Sequence, residues 1–172
     1  RPPAAGDRAT AIIGNRDALI VRRKPWQWAL SAYACPVPNN RWLQDRQNLV
    51  DVYVDGLGLV LGGGNTKLQP LWSTFTVGDT SLLAHRPGDE NPNFTPQIPL
   101  RWTPQEAHIE GAGEKLVLRY GEENCSVTCQ PQDDGSFKLI YEAPTDRQVE
   151  AHLPLLKRGQ KLLLPDGHTL RL

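Results

Sequence analysis

The residues best suited to chemistry lie in one glycine-rich polar loop, residues 62–72. Its three consecutive glycines, 62–64, would let a ligand approach the backbone closely, because glycine has no Cβ. The side chains that we predict to bind a ligand follow them: Asn65, Lys67, Gln69 and Trp72. Amide and ammonium groups can donate hydrogen bonds to sugar hydroxyls, the indole offers a stacking face, and Lys67 suits a carboxylate or sulfate. An oligosaccharide, including an acidic one, is therefore the predicted ligand class.

The same glycines also have a purely structural interpretation. A β-bulge or a wide turn requires positive φ values, which glycine adopts without steric cost. A phosphate-binding loop does not fit, because the Gly-Lys-Ser/Thr order is missing and the glycines follow a predicted strand instead of opening a helix. Ligand binding and a structural turn therefore stay open as two interpretations of the loop.

A second candidate is the adjacent pair His85 and Arg86, which begins a proline-rich segment, 85–99. A histidine beside an arginine can act as a base or contact an anion, although a solvated loop histidine is the simpler interpretation. The sequence has no Gly-x-Ser-x-Gly elbow and no recognisable catalytic triad. His85 is the one weak catalytic candidate, with Arg86 and Lys67 as charge-neutralising groups if the chain is an enzyme by itself.

Cysteine and histidine spacing predicts neither a metal site nor a cofactor site. Cys125 and Cys129 are four residues apart in a predicted strand, about 13 Å if extended, and too far apart for a disulfide. They would face the same side, as two small buried side chains. A bulge between them, or pairing with Cys35, is the alternative that would allow a disulfide. No Cys-x-x-Cys or nearby His-x-x-x-His accompanies them.

Composition bounds the class of protein. The 172 residues include 19 Lys plus Arg and 19 Asp plus Glu, and this zero net charge argues against nucleic-acid and membrane-surface partners. No apolar run is long enough for a transmembrane helix. The chain begins at Arg1 and has no methionine, so we expect it to be a processed or excised part of a longer protein.

Period-two alternation and tight glycine turns predict an all-β fold. The clearest case is Val50 to Val54, followed by an Asp55-Gly56 hairpin turn and a returning strand over 57–61. Residues 41–47 are the one stretch that suggests a helical turn. We predict an antiparallel β-sandwich with few or no helices, as a single domain over 11–172 after a linker or disordered terminus at 1–10. The other predicted strands are 18–23, 26–34, 70–77, 79–84, 106–110, 115–120, 125–130, 136–142, 148–156, 160–164 and 169–172.

The stretch VDVYVDGLGLVLGGGNTKLQPLWSTF, residues 50–75, and the strands over 106–167 resemble the all-β super-sandwich domain of heparinase II/III-like polysaccharide lyases. In that family the β-domain packs on a helical toroid, which carries the catalytic tyrosine and much of the catalytic apparatus. The resemblance implies that a β-domain histidine can reach the cleft, and His85 is the position that we nominate. This chain has no helical half, so the resemblance implies a catalytically incomplete module.

From the residues and the resemblance we expect a non-catalytic β-sandwich module of a polysaccharide-processing, lyase-like protein, secreted or periplasmic. It would contact an acidic oligosaccharide, or an N-terminal helical catalytic domain, through the 62–72 loop and Arg86. Two alternatives remain: a self-sufficient polysaccharide lyase or glycoside hydrolase, and a structural sandwich domain without a ligand.

Overall fold

The computed structural model describes residues 8–15, 18–34, 49–62, 74–78, 104–156, 161–164 and 166–171. Within these ranges the chain is all-β, and the strands pair antiparallel. The strands are β1 Arg8–Ile13, β2 Ala18–Arg23, β3 Trp26–Ser31, β4 Val50–Val54, β5 Gly58–Leu61, β6 Phe75–Val77, β7 Glu106–Glu110, β8 Lys115–Tyr120, β9 Glu123–Pro131, β10 Phe137–Glu142, β11 Val149–Ala151, β12 Lys161–Leu163 and β13 Thr169–Arg171. No helix in these ranges is long and apolar enough to cross a membrane.

The first sheet has five strands in sequence order, β1 to β5. The predicted Asp55-Gly56 hairpin is confirmed, since β4 pairs with β5 and Gly56 has a φ of 80°. The register between the two strands shifts between Val52 and Tyr53, which is typical of a β-bulge. β1 starts at Arg8, so part of the predicted 1–10 linker belongs to this sheet.

The second sheet is the predicted meander, with the strand order β10-β9-β8-β7. Its strands alternate as period two requires: Leu116, Leu118 and Tyr120 are buried, and the residues between them are half-exposed. Short glycine-containing turns connect consecutive strands, which explains why local sequence predicts this sheet well. The predicted strands 160–164 and 169–172 correspond to a third unit, the β12–β13 hairpin.

Of the predicted strand 70–77, residues 70–73 lie outside the described part of the chain. Phe75–Val77 form β6, and its partner is β11 near the C-terminus. The predicted strand 148–156 is divided into β11 and one isolated bridge, Leu155 to Leu61. The pair β6–β11 therefore brings the middle of the chain against its C-terminal part.

The two larger sheets meet in one apolar core, in a sandwich-like arrangement. Trp28 of the first sheet is fully buried, and its ring lies 5.5 Å from that of Phe137 of the second sheet, centroid to centroid. The indole N–H of Trp28 donates a hydrogen bond of 2.8 Å to the carbonyl oxygen of Gly113, in the turn between β7 and β8. Leu19 and Val21 of β2 lie against the same turn.

The cysteine prediction is confirmed where the structure describes it. Cys125 and Cys129 are free, buried thiols on the core face of β9, and burial raises the pKa of each to about 12. Cys35, the predicted helical turn at 41–47, the predicted strand 79–84 and the proline-rich segment 85–99 lie outside the described residues.

Candidate functional site

Both ends of the segment 63–73 are held by the same short piece of chain. The backbone N–H of Gly62 donates to the carbonyl oxygen of Pro154 at 3.0 Å. On the other side, the N–H of His152 donates to the carbonyl oxygen of Thr74 at 3.1 Å. We call this arrangement the stem: Gly62 and Thr74 bonded to residues 152–154. Because one three-residue stretch binds both, Gly62 and Thr74 lie at neighbouring points of the fold.

The expectation that a ligand can approach the backbone of the three glycines closely is wrong for Gly62. This residue is buried, with a φ of 114°, and its N–H is satisfied by Pro154. The physical reason is that β5 does not end as a free edge. The N–H of Leu156 donates to the carbonyl oxygen of Val60 at 3.0 Å, so the C-terminal segment covers that edge.

The sequence-predicted site residues themselves lie outside the described part of the chain. These are Gly63 and Gly64 of the triglycine and the candidate side chains Asn65, Lys67, Gln69, Trp72, His85 and Arg86. Ligand binding by the 62–72 loop therefore stays a prediction, and the structure adds the position and rigidity of its stem.

A buried polar contact reinforces the stem. Thr76 is fully buried in β6, and its hydroxyl lies 2.9 Å from Nε2 of His152. Burial lowers the pKa of the half-buried His152 imidazole, and the nearby Glu150 carboxylate opposes this effect. The neutral imidazole is therefore favoured in the folded chain, and it links β6 to the segment that holds the stem.

A separate cleft lies on the outer face of the second sheet, where β10 ends and the chain turns away. We call it the outer cleft. It encloses about 400 Å³, within the usual size range of small-ligand sites. The residues that line it are Glu110, Lys115, Val117, Asn124, Cys125, Ser126, Glu142, Ala143 and Pro144.

Strand register assembles the polar part of the outer cleft. Ser126 of β9 pairs with Glu142 of β10 on one side and with Val117 of β8 on the other. The Glu142 carboxylate accepts bonds from the Ser126 hydroxyl at 2.9 Å and from Nζ of Lys115 at 3.2 Å. These two donors, Ser126 first, lower the pKa of Glu142. The carboxylate is therefore charged and held in place at neutral pH.

Two further ionisable side chains on this face, Arg119 and His108, lie against carboxylates. Arg119 forms a two-point contact with Glu106, with Nε to Oε2 at 3.0 Å. Nε2 of His108 lies 3.2 Å from Oε1 of Glu110, at the rim of the outer cleft. Within the described ranges, no group of three or more His, Cys, Asp or Glu side chains could hold a metal ion.

Sequence reasoning missed the residues of the outer cleft. Lys115, Asn124, Ser126 and Glu142 each occupy an ordinary strand position, and no motif singles them out. These residues alternate with the buried residues of β8 to β10, which places them on the outer face. This period-two alternation is the sequence signal that could have identified them. Comparisons with protein-family models, with curated proteins and with solved structures found no match.

Proposed function

We propose that this chain is a non-catalytic β-sandwich module of a polysaccharide-processing, lyase-like protein, and that it contacts an oligosaccharide through the segment 62–72. The observation that carries the proposal is the stem, in which Gly62 and Thr74 are both bonded to residues 152–154. Segments whose two ends are held in place by the strands of a fold often carry binding residues.

The stem supports binding because the two ends of the predicted ligand-contacting segment are already held in the free chain. Backbone bonds to Gly62 and Thr74 and the part-buried Thr76–His152 contact hold these ends before any ligand arrives. The composition of that segment, with Asn65, Lys67, Gln69 and Trp72, suits a sugar, as the sequence indicates.

The non-catalytic part of the proposal is supported by the resemblance and by the described charges. In the lyases that the chain resembles, the helical half supplies the catalytic apparatus, and a catalytic partner domain would supply it here. On the described outer faces several ionisable groups lie in ion pairs, such as Arg22 with Asp55 at 2.9 Å and Lys115 with Glu142 at 3.2 Å. Such pairs are typical of a solvated sheet surface. A polysaccharide-processing role places the protein in a secreted or periplasmic location.

Calorimetric titration of residues 1–172 with hexasaccharides tests the proposal. We expect binding that Trp72→Ala and Lys67→Ala each weaken by about threefold to thirtyfold, because each removes one stacking or charge-assisted contact. The control is Lys138→Ala, which removes an exposed lysine of β10 and should leave affinity unchanged. An absence of binding to every neutral and acidic hexasaccharide would overturn the proposed oligosaccharide contact.

The alternative of a self-sufficient enzyme has its own measurement. A lyase produces an unsaturated uronate whose conjugated double bond absorbs ultraviolet light, so an absorbance assay detects turnover by residues 1–172 directly. We expect none. Turnover that His85→Ala abolishes would overturn the non-catalytic proposal and identify the chain as an enzyme by itself.

A further inference from the structure

We infer that the outer cleft is a second carbohydrate site, which takes a neutral, hydroxyl-rich oligosaccharide. The inference deepens the proposed function and rests on it, but it concerns a different face of the molecule from the stem. The outer cleft is built from β8, β9 and the end of β10, and the residues that carry the argument are Lys115, Val117, Asn124, Ser126 and Glu142.

The shape of the outer cleft suits the edge or face of a sugar ring. Val117 is half-buried at the centre of the sheet face, between Ser126 and His108 in the strand register. Ala143 and Pro144 form one wall, where the chain leaves β10. Val117 and this wall give an apolar surface beside polar groups, the combination that ligand sites commonly show.

The polar groups of the outer cleft can both donate hydrogen bonds to ligand hydroxyls and accept hydrogen bonds from them. Ser126 and Lys115 both donate to Oε2 of Glu142, so Oε1 of this largely exposed carboxylate keeps its lone pairs for a ligand hydroxyl. Asn124 is exposed at the cleft and brings an amide with two donors and an acceptor. Since Glu142 is already held by two bonds, little side-chain freedom is lost when a ligand binds.

Charge decides between neutral and acidic sugars. The outer cleft contains two carboxylates, Glu110 and Glu142, and one ammonium group, Lys115, which is engaged with Glu142. With two carboxylates against one ammonium group, the lining of the cleft is net negative. Uronates and sulfated sugars would be repelled, and a neutral oligosaccharide would not.

Titration of the full 1–172 chain with cellohexaose and β-1,4-mannohexaose, against hexaguluronate, tests the inference. The decisive variant is Asn124→Ala, and its matched control is Gln130→Ala, an exposed amide on the same strand and face that does not line the cleft. We expect Asn124→Ala to weaken binding of a neutral hexamer by about threefold to tenfold, and Gln130→Ala to have no effect. Glu110→Gln removes one of the two carboxylates and should strengthen binding of hexaguluronate.

The outcomes separate this inference from the proposed function. If hexasaccharides bind and only Trp72→Ala weakens them, the inference is overturned and the proposed function stands. If Asn124→Ala weakens binding and Trp72→Ala does not, the outer cleft is supported and the role of the 62–72 segment is overturned. If no hexasaccharide binds the wild-type chain, both fail. Preferential binding of hexaguluronate that Asn124→Ala weakens would overturn the charge argument.

Discussion

Gly113 lies where the turn between β7 and β8 touches the first sheet, and Gly113→Ala probes that contact directly. Its φ is 95°, a conformation that residues with a Cβ rarely adopt. A methyl group there would lie 1.6 Å from Cδ2 of Leu19 and 2.8 Å from Cγ2 of Val21, both shorter than van der Waals contact. Leu19 is only 1% exposed, so it has no free space to move into.

Two costs add for this variant. Overpacking a filled core costs about 1–3 kcal/mol, and holding an alanine at positive φ costs about 1–2 kcal/mol. The hydrogen bond from the Trp28 indole to the Gly113 carbonyl oxygen, 2.8 Å long, is strained by the same displacement. We therefore expect the free energy of unfolding to fall by about 2–5 kcal/mol, a large share of the 5–15 kcal/mol that stabilises a typical domain.

Gly111→Ala is the matched control, since it lies in the same turn at a φ of 64° with no atom within 4 Å of an added Cβ. It should carry only the backbone cost, about 1–2 kcal/mol. Urea unfolding followed by tryptophan fluorescence and circular dichroism measures both variants. Equal losses for Gly111→Ala and Gly113→Ala would refute the close approach of this turn to Leu19, and with it the packing of the two sheets at that point.

Three other outcomes follow from buried groups. Trp28→Phe leaves the Gly113 carbonyl without its buried donor and should lower the free energy of unfolding by about 2–4 kcal/mol. The control is Trp26→Phe, which removes an exposed indole hydrogen bond and should lower the free energy of unfolding by about 1 kcal/mol. Equal losses for the two variants would contradict the burial argument. Burial lowers the pKa of His152 below the ordinary 6.5, so the stability gained from its neutral form is present above that pH and lost as pH falls through the folded pKa. His152→Gln should therefore flatten the decline in urea stability just below pH 6.5, and an unchanged slope would contradict this. Cys125 and Cys129, whose pKa values burial raises to about 12, should not react with a thiol reagent until denaturant is added. The measurement uses a Cys35→Ser chain, so that only these two thiols can be labelled. Rapid labelling of the native chain would show that they are not buried.

Local sequence predicts the fold wherever pairing is between neighbours in the chain. The Asp55-Gly56 turn and the alternation of Leu116, Leu118 and Tyr120 both follow from rules that need only a few adjacent residues. For this reason the β4–β5 hairpin and the four-stranded meander are confirmed, with bounds close to those predicted.

The same local rules could not predict which distant segments pair with each other. β6 pairs with β11 through three residues only, Phe75 with Ala151 at one end and Val77 with Val149 at the other. Nothing in a three-residue segment specifies so distant a partner, because any apolar strand would fit. The burial of Gly62 follows from that pairing, since the same C-terminal segment continues along β5. A glycine run alone does not reveal what covers it.

The outer cleft depends on register rather than on residue type. Ser126 contacts Glu142 only because β9 and β10 pair with these two residues opposite each other. A shift of one residue would turn Ser126 toward the core and remove the site. The candidate residues Asn65, Lys67, Gln69 and Trp72 could be chosen from composition, whereas Asn124 and Glu142 required knowledge of the sheet.

The stem has a consequence for how this chain can vary. Because Gly62 and Thr74 are both bonded to residues 152–154, these bonds fix the two positions independently of the length of chain that connects them. Doubling the length of a flexible connection costs only about 0.6 kcal/mol. Insertions, deletions or complete replacement of residues 63–73 should therefore leave the sheets folded. The sequence at this position could then change while the rest of the fold stays the same.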